Sequence, residues 1–188
     1  MSWRAPAFLH DVVGEAPEPR ELVIVGLVGI GVASLLLAGE PVHELGLASW
    51  LLAWLLVADI AAGCVANFTR STNDYYAARP GHRRVFLAIH VHLLVLGWLL
   101  GELGASVVGL WVYVIVGAAI VNALAGRPRQ VFVAGVVLAL GLVAVLLAPL
   151  SPTMRGAAAL FLVKVAYAFA VDHHAQARGD PRGSHGSR

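Results

Sequence analysis

The stretch VFVAGVVLALGLVAVLLAPL, residues 131–150, contains no ionisable side chain. At about 1.5 Å of rise per residue, it makes a helix about 30 Å long, the thickness of a bilayer's hydrocarbon core. Five other apolar stretches are as long, or nearly so: Leu22–Ala38, Leu45–Ala66, Val85–Gly101, Ala105–Ala125 and Met154–Val171. With Val131–Leu150 as the fifth in chain order, they read as six transmembrane spans. Backbone N–H and C=O groups in lipid must be satisfied within the segment, which selects helices. A barrel would need alternating polarity, and none of the six alternates. The breaks fall at Gly39-Glu40-Pro41, Arg79-Pro80-Gly81, Gly126-Arg127-Pro128 and Pro149 to Pro152, where helix breakers belong. The expected fold class is all-α, a polytopic membrane protein built as a six-helix bundle.

Composition leads to the same place. Of 188 residues, 59% are hydrophobic and 13% charged, whereas soluble domains carry about 25% charge. A soluble domain is excluded, and nothing points to a nucleic-acid partner. The single cysteine, Cys64, rules out an intrachain disulfide or a Cys-based zinc site.

Arginines set the expected orientation. Arg70, Arg79, Arg83 and Arg84 lie between spans 2 and 3, and Arg127 and Arg129 between spans 4 and 5. Arg4 and Arg20 precede span 1, and Arg178, Arg182 and Arg188 follow span 6. The opposite side holds Glu40, Glu44 and Glu102, with Arg155 as its cation. The positive-inside rule therefore places both termini in the cytoplasm, which an even number of spans requires. Residues 1–20 read as a cytoplasmic head in which Pro6, Pro17 and Pro19 limit helix, with Trp3, Phe8 and Leu9 suited to the membrane surface. Residues 21–174 form the transmembrane domain. Residues 175–188, rich in Gly, Ser, Arg and Pro, read as a disordered tail.

Ionisable groups inside spans cost about 2.5–3.5 kcal/mol each and so need a reason. Asp59 lies in span 2, His90 and His92 in span 3, and Lys164 in span 6. Counted from each span's midpoint, all four fall within about 6 Å of one layer. The simplest reading is an Asp59–Lys164 ion pair with one histidine hydrogen-bonded to it. On a continuous helix His90 and His92 point about 200° apart. One should face the bundle, and His90 is favoured because Phe86, Leu93, Leu94 and Gly97 share its side. Tyr167, three residues after Lys164, is placed to hydrogen-bond the ammonium or relay its proton. Small residues Ala62, Gly63 and Ala66 beside Asp59 allow close helix approach. Span 5, with no ionisable residue, belongs on the lipid-facing periphery.

The stretch from Asn67 to Arg84 is long and polar for a connection between spans. Arg70, Arg79, Arg83 and Arg84, with hydroxyls, amides and Tyr75 and Tyr76, form either a positive anchor with an aromatic belt or contacts to an anionic headgroup.

Three functional readings follow. The leading one is a small solute or ion transport component of a bacterial or archaeal inner membrane, with a polar midplane site of Asp59, Lys164, His90, His92 and Tyr167. The alternative is a metal- or haem-dependent membrane oxidoreductase, the metal set drawn from His90, Asp59, Asp172, His173 and His174. Lys164 in the same layer opposes a divalent cation, and His173 and His174 sit at a different depth from His90. The third is a non-catalytic scaffold subunit, in which the charges only fix packing. Motifs for a serine hydrolase, a zinc protease and a nucleotide-binding loop are missing, which leans against an enzyme. The partners implied are the bilayer, an anionic lipid or small solute, and a homo-oligomer or larger membrane complex.

Overall fold

A computed structural model of the chain describes residues 4–6, 10–40 and 42–175, with backbone alone at Val42 and His43. All regular structure among the described residues is helical. In chain order the helices are α1 (His10–Val13), α2 (Pro19–Leu36), α3 (Val42–Leu45), α4 (Leu47–Ala66), α5 (Arg70–Ala77), α6 (Pro80–Ile89), α7 (His92–Leu99), α8 (Ala105–Ala123), α9 (Gln130–Leu147) and α10 (Pro152–Leu162). A π-helical segment, Val163–Phe169, continues α10. Trp3, Phe8 and Leu9, on which the membrane-surface expectation rested, lie outside the described residues, as does most of the expected tail.

Four helices, α2, α4, α8 and α9, are long and apolar enough to cross a membrane. Their outer faces carry exposed Leu27, Leu35, Phe132, Leu140 and Leu147, surface that lipid tolerates and water does not. The last helix sits at the centre. Phe161, Leu162, Val165 and Ala166 are fully buried, and α10 with its π-segment packs against α2, α4, α7, α8 and α9. A helix apolar on most of its sides suits such a central position. α2 and α4 pack side by side where Gly29 lets α2 lie against Ala58 and Ala62.

The segments read as spans 3 and 6 depart from uniform helices. The first is two helices, α6 and α7. His90 (φ −78°, ψ 68°) is the centre of an inverse γ-turn, closed by Val91 N–H donating to Ile89 O at 2.8 Å. The turn frees the His90 carbonyl, which accepts a hydrogen bond of 2.8 Å from the Trp111 indole on α8. In an apolar surrounding that donor is what makes the break tolerable. Span 6 widens into π geometry at Val163–Phe169, around Lys164.

The polar stretch expected as an open connection contains α5, whose N-cap Thr69 accepts from Thr72 N–H. Residues 10–16 lie across α5 as a strap. Tyr76 O–H donates to Asp11 O at 2.7 Å, Ala16 N–H to Ser71 Oγ at 3.0 Å, and Arg79 pairs with Glu15 at 2.5 Å. Gly14, at φ +74°, abuts Ser71 so closely that a β-carbon has no room.

Candidate functional site

Lys164 projects from the π-segment across α4. Its ammonium donates to Asp59 Oδ2 at 2.5 Å and to the Asp59 carbonyl at 3.2 Å. The two partners differ in burial: the Lys164 side chain is 4% exposed and that of Asp59 46%. Gly63 makes this path available, because a β-carbon there would fall 2.8 and 2.9 Å from Lys164 Cδ and Nζ. Gly63 therefore accommodates the lysine stem. Gly63→Ala is expected to displace the ammonium from Asp59 and cost about 1–3 kcal/mol through overpacking. The check is a thermal-unfolding midpoint in detergent beside Gly31→Ala, where a β-carbon meets open space.

The γ-turn decides the histidines. A straight helix would send His90 and His92 to opposite sides; the break brings both to one side, with ring centroids 5.0 Å apart. This corrects the expectation that they point about 200° apart, although their partners differ. Each histidine has a distinct tie. His90 Nδ1 lies 2.6 Å from Phe86 O. A carbonyl only accepts, so in the neutral ring Nδ1 carries the proton and Nε2 keeps its lone pair. His92 Nε2 lies 3.4 Å from Asp59 Oδ2. His90 Nε2 and His92 Nδ1 are buried without a hydrogen-bond partner among the described residues. His90 stacks on Phe86 at 3.7 Å, and Phe86 on Phe169 at 3.7 Å, so the inner histidine is held on both its edge and its face.

These groups line one part of a cleft of about 400 Å³, within the range of about 300–1,000 Å³ usual for small-molecule sites. Asp59, Ala62, Gly63 and Asn67 come from α4, Val25 from α2, Val85, Phe86 and Ile89 from α6, and Lys164 from the π-segment. Asp11, Tyr76 and His82 line it as well. His82 Nδ1 is 3.4 Å from Asp11 Oδ1 and 3.3 Å from Tyr75 O–H.

Other residues singled out from sequence lie elsewhere. Tyr167 is turned towards Phe68 and His173, with ring centroids at 6.1 and 5.5 Å. A π-turn closes i→i+5 and so rotates less per residue than an α-turn, which leaves residues three apart farther from a common face. The expected Lys164–Tyr167 relay is not formed. The metal set drawn from Asp172, His173 and His174 is not assembled either. Among the described residues no three His, Cys, Asp or Glu side chains gather as metal ligands. His90 packs beside Phe161, about three turns before His173 on the last helix. His173 Nε2 is 3.3 Å from Tyr167 O and His174 Nε2 3.2 Å from Phe68 O. Burial pushes the His173 imidazole below its ordinary pKa, against the hydrogen bonds to Tyr167 and Ala168 that raise it.

The four arginines also separate. Arg70 pairs with Asp74 at 3.3 Å and Arg79 with Glu15, Arg79 also lying over the Tyr75 ring at 4.2 Å. Arg84 is exposed, its Nε 3.5 Å from Pro80 O. Arg83 is buried, which corrects its expected role as a headgroup contact. It donates to Phe169 O at 2.9 Å and Ala170 O at 3.0 Å. Gln130 donates to Ala170 O at 3.0 Å and Asn73 to Val171 O at 3.1 Å. Together they satisfy the carbonyls that end the last helix, where a cation also complements the helix dipole. At the other end, Ser151 caps α10 and is itself held by Glu102, with Ser151 Oγ donating to Glu102 Oε1 at 2.6 Å.

Comparison with protein-family models, with curated proteins and with solved structures finds no match for this chain.

Proposed function

We propose that this chain is an integral membrane protein of six spans with both termini in the cytoplasm, and that it is a transport component of a bacterial or archaeal inner membrane. Its solute or ion binds in the cleft at Asp59, Lys164 and His92. The observation that carries this reading is an ion pair, one partner buried and the other open, at the polar part of a ligand-sized cleft. A pair needed only for packing gains nothing from an adjoining cavity, whereas a binding site requires one. Intramembrane ionisable groups mark solute and proton pathways. A solute can share the open Asp59 carboxylate while Lys164 keeps the site near neutrality.

His92 is the proton-exchanging group in this reading, because its Nε2 faces Asp59. His90, fixed to Phe86 O, holds the shape of the break. His92→Asn is expected to flatten the pH dependence of solute binding between pH 5 and 8, whereas His90→Asn lowers stability and leaves the profile's shape intact. Binding isotherms across that pH range check this, and a flattened profile in the His90 variant instead would reverse the assignment.

The function itself is tested by screening small solutes for thermal stabilisation of purified protein, then measuring their flux in proteoliposomes. Solutes that stabilise the wild type should fail to stabilise the Asp59→Asn/Lys164→Met double variant and should cross only wild-type vesicles. Equal stabilisation of both proteins would place binding elsewhere.

Orientation is tested on a Cys64→Ala background. Arg127→Cys is expected to react with an impermeant maleimide only in inverted vesicles, and Glu44→Cys only in intact cells. The reverse pattern would invert the topology.

A further inference from the structure

The cleft has two boundaries of different kinds. The strap crosses it near α5, placing Asp11 against Tyr76 and His82. Along α6 it is edged by Val85 and Ile89, which are 59% and 60% exposed on a face that, in a six-span bundle, meets lipid. α6 packs on α5 and α8, and the space between it and α2 with α4 is the cleft. Access from an aqueous end is roofed by a hydrogen-bonded segment, while access from the side passes only apolar groups.

Charge decides which head the polar part can take. Lys164 is already neutralised by Asp59 at 2.5 Å, so an anionic head finds no uncommitted cation. A cationic head would add a second positive charge beside a carboxylate that already neutralises Lys164, leaving the site with an uncompensated charge. What the site has to spare is acceptor capacity. The Asp59 carboxylate is half exposed and turned to the cleft, whereas the unpartnered His90 Nε2 and His92 Nδ1 lie beneath its surface. A neutral group that donates a proton without carrying charge satisfies that carboxylate, and a hydroxyl does so while its own oxygen can accept from an N–H.

We propose that the cleft takes up a neutral, hydroxyl-bearing amphiphile from the bilayer, its head at Asp59 and its tail along Val25, Val85 and Ile89. This rests on the reading of the cleft as the ligand site and names the chemical class of its ligand. The head exchanges its interfacial hydrogen bonds for the half-exposed carboxylate. The tail stays in apolar contact throughout, so uptake from lipid exposes no new apolar surface to water.

The test uses the full chain in lipid nanodiscs and three photoreactive diazirine probes of equal length: hexadecanol, hexadecanoic acid and hexadecylamine. The alcohol is expected to label α4 and α6 at cleft residues at least tenfold more than the acid or the amine. Untagged hexadecanol should compete it away. Ile89→Trp, which fills the side opening from an exposed position, should reduce labelling about tenfold without moving the unfolding midpoint. Equal labelling by acid or amine, or alcohol labelling spread over the outer faces of α8 and α9, overturns the proposal. A water-soluble solute that stabilises wild type but not the Asp59/Lys164 double variant, with no cleft labelling, overturns the amphiphile and leaves the transport reading standing. Cleft labelling that the double variant retains in full overturns the placement of the head and, with it, the site that both readings share.

Discussion

Asp59→Asn is expected to lower the unfolding free energy by about 3 kcal/mol, and Lys164→Met by distinctly less. The asymmetry comes from burial. Removing the carboxylate strands an ammonium on a side chain that is 4% exposed, whereas removing the ammonium leaves a carboxylate that is 46% exposed along the cleft and less tightly enclosed by protein. An unpaired buried charge is the dominant penalty when one partner of such a pair is removed, and the geometry assigns that penalty to lysine. The double variant should regain most of what Asp59→Asn loses, since a methionine and an amide leave no charge to strand. Chemical unfolding in mixed micelles provides the comparison. Losses that simply add would show that the two residues are not energetically coupled. Recovered stability with lost solute binding would separate a working site from a packing device, the scaffold reading.

Arg83→Leu is expected to cost a similar amount, about 3 kcal/mol, through a different mechanism. The guanidinium donates to two carbonyls, Phe169 O and Ala170 O, and hydrogen bonds to charged groups contribute about 1.5–3 kcal/mol each. Its loss also leaves those carbonyls short of donors at the buried end of the last helix. Arg83→Lys should recover only part, because a single ammonium does not reproduce the planar fork. Arg84→Leu, at the exposed neighbouring position, should change stability by less than about 0.5 kcal/mol. If Arg83 served a lipid headgroup, as the sequence suggested, Arg83→Leu would instead leave stability unchanged and weaken binding to anionic vesicles. Unfolding curves and vesicle sedimentation on the same two variants distinguish these outcomes.

Sequence by itself determined that the chain is helical, with helices long and apolar enough to cross a membrane. Long runs such as residues 131–150 select helix, because in an apolar surrounding only a helix or a closed barrel satisfies the backbone, and the run lacks a barrel's alternation. It also singled out Asp59, Lys164, His90 and His92, because buried ionisable groups are costly wherever the chain places them. The chain's own Gly and Pro residues set most of the breaks, and those breaks lie close to the ends of α2, α8 and α9 and at the start of α6.

Only the tertiary structure decided how those residues meet. The break at His90 contains no Gly or Pro. It exists because Trp111 on α8 and Phe86 within α6 supply partners that a continuous helix would not need. Periodicity drawn from an unbroken helix therefore set the two histidines apart, when a single γ-turn brings them together. The π-geometry around Lys164 likewise has no Gly or Pro to announce it, and Tyr167 within it packs on Phe68 and His173. Arg83 reads in sequence like its neighbours Arg79 and Arg84. Its role emerges only when α6 is laid against the end of the last helix, more than eighty residues away in the chain, where bare carbonyls require a donor. Local chemistry can be read from a sequence because it travels with the residue. Partnership between distant segments cannot, because it depends on which unsatisfied groups the packed bundle brings within reach.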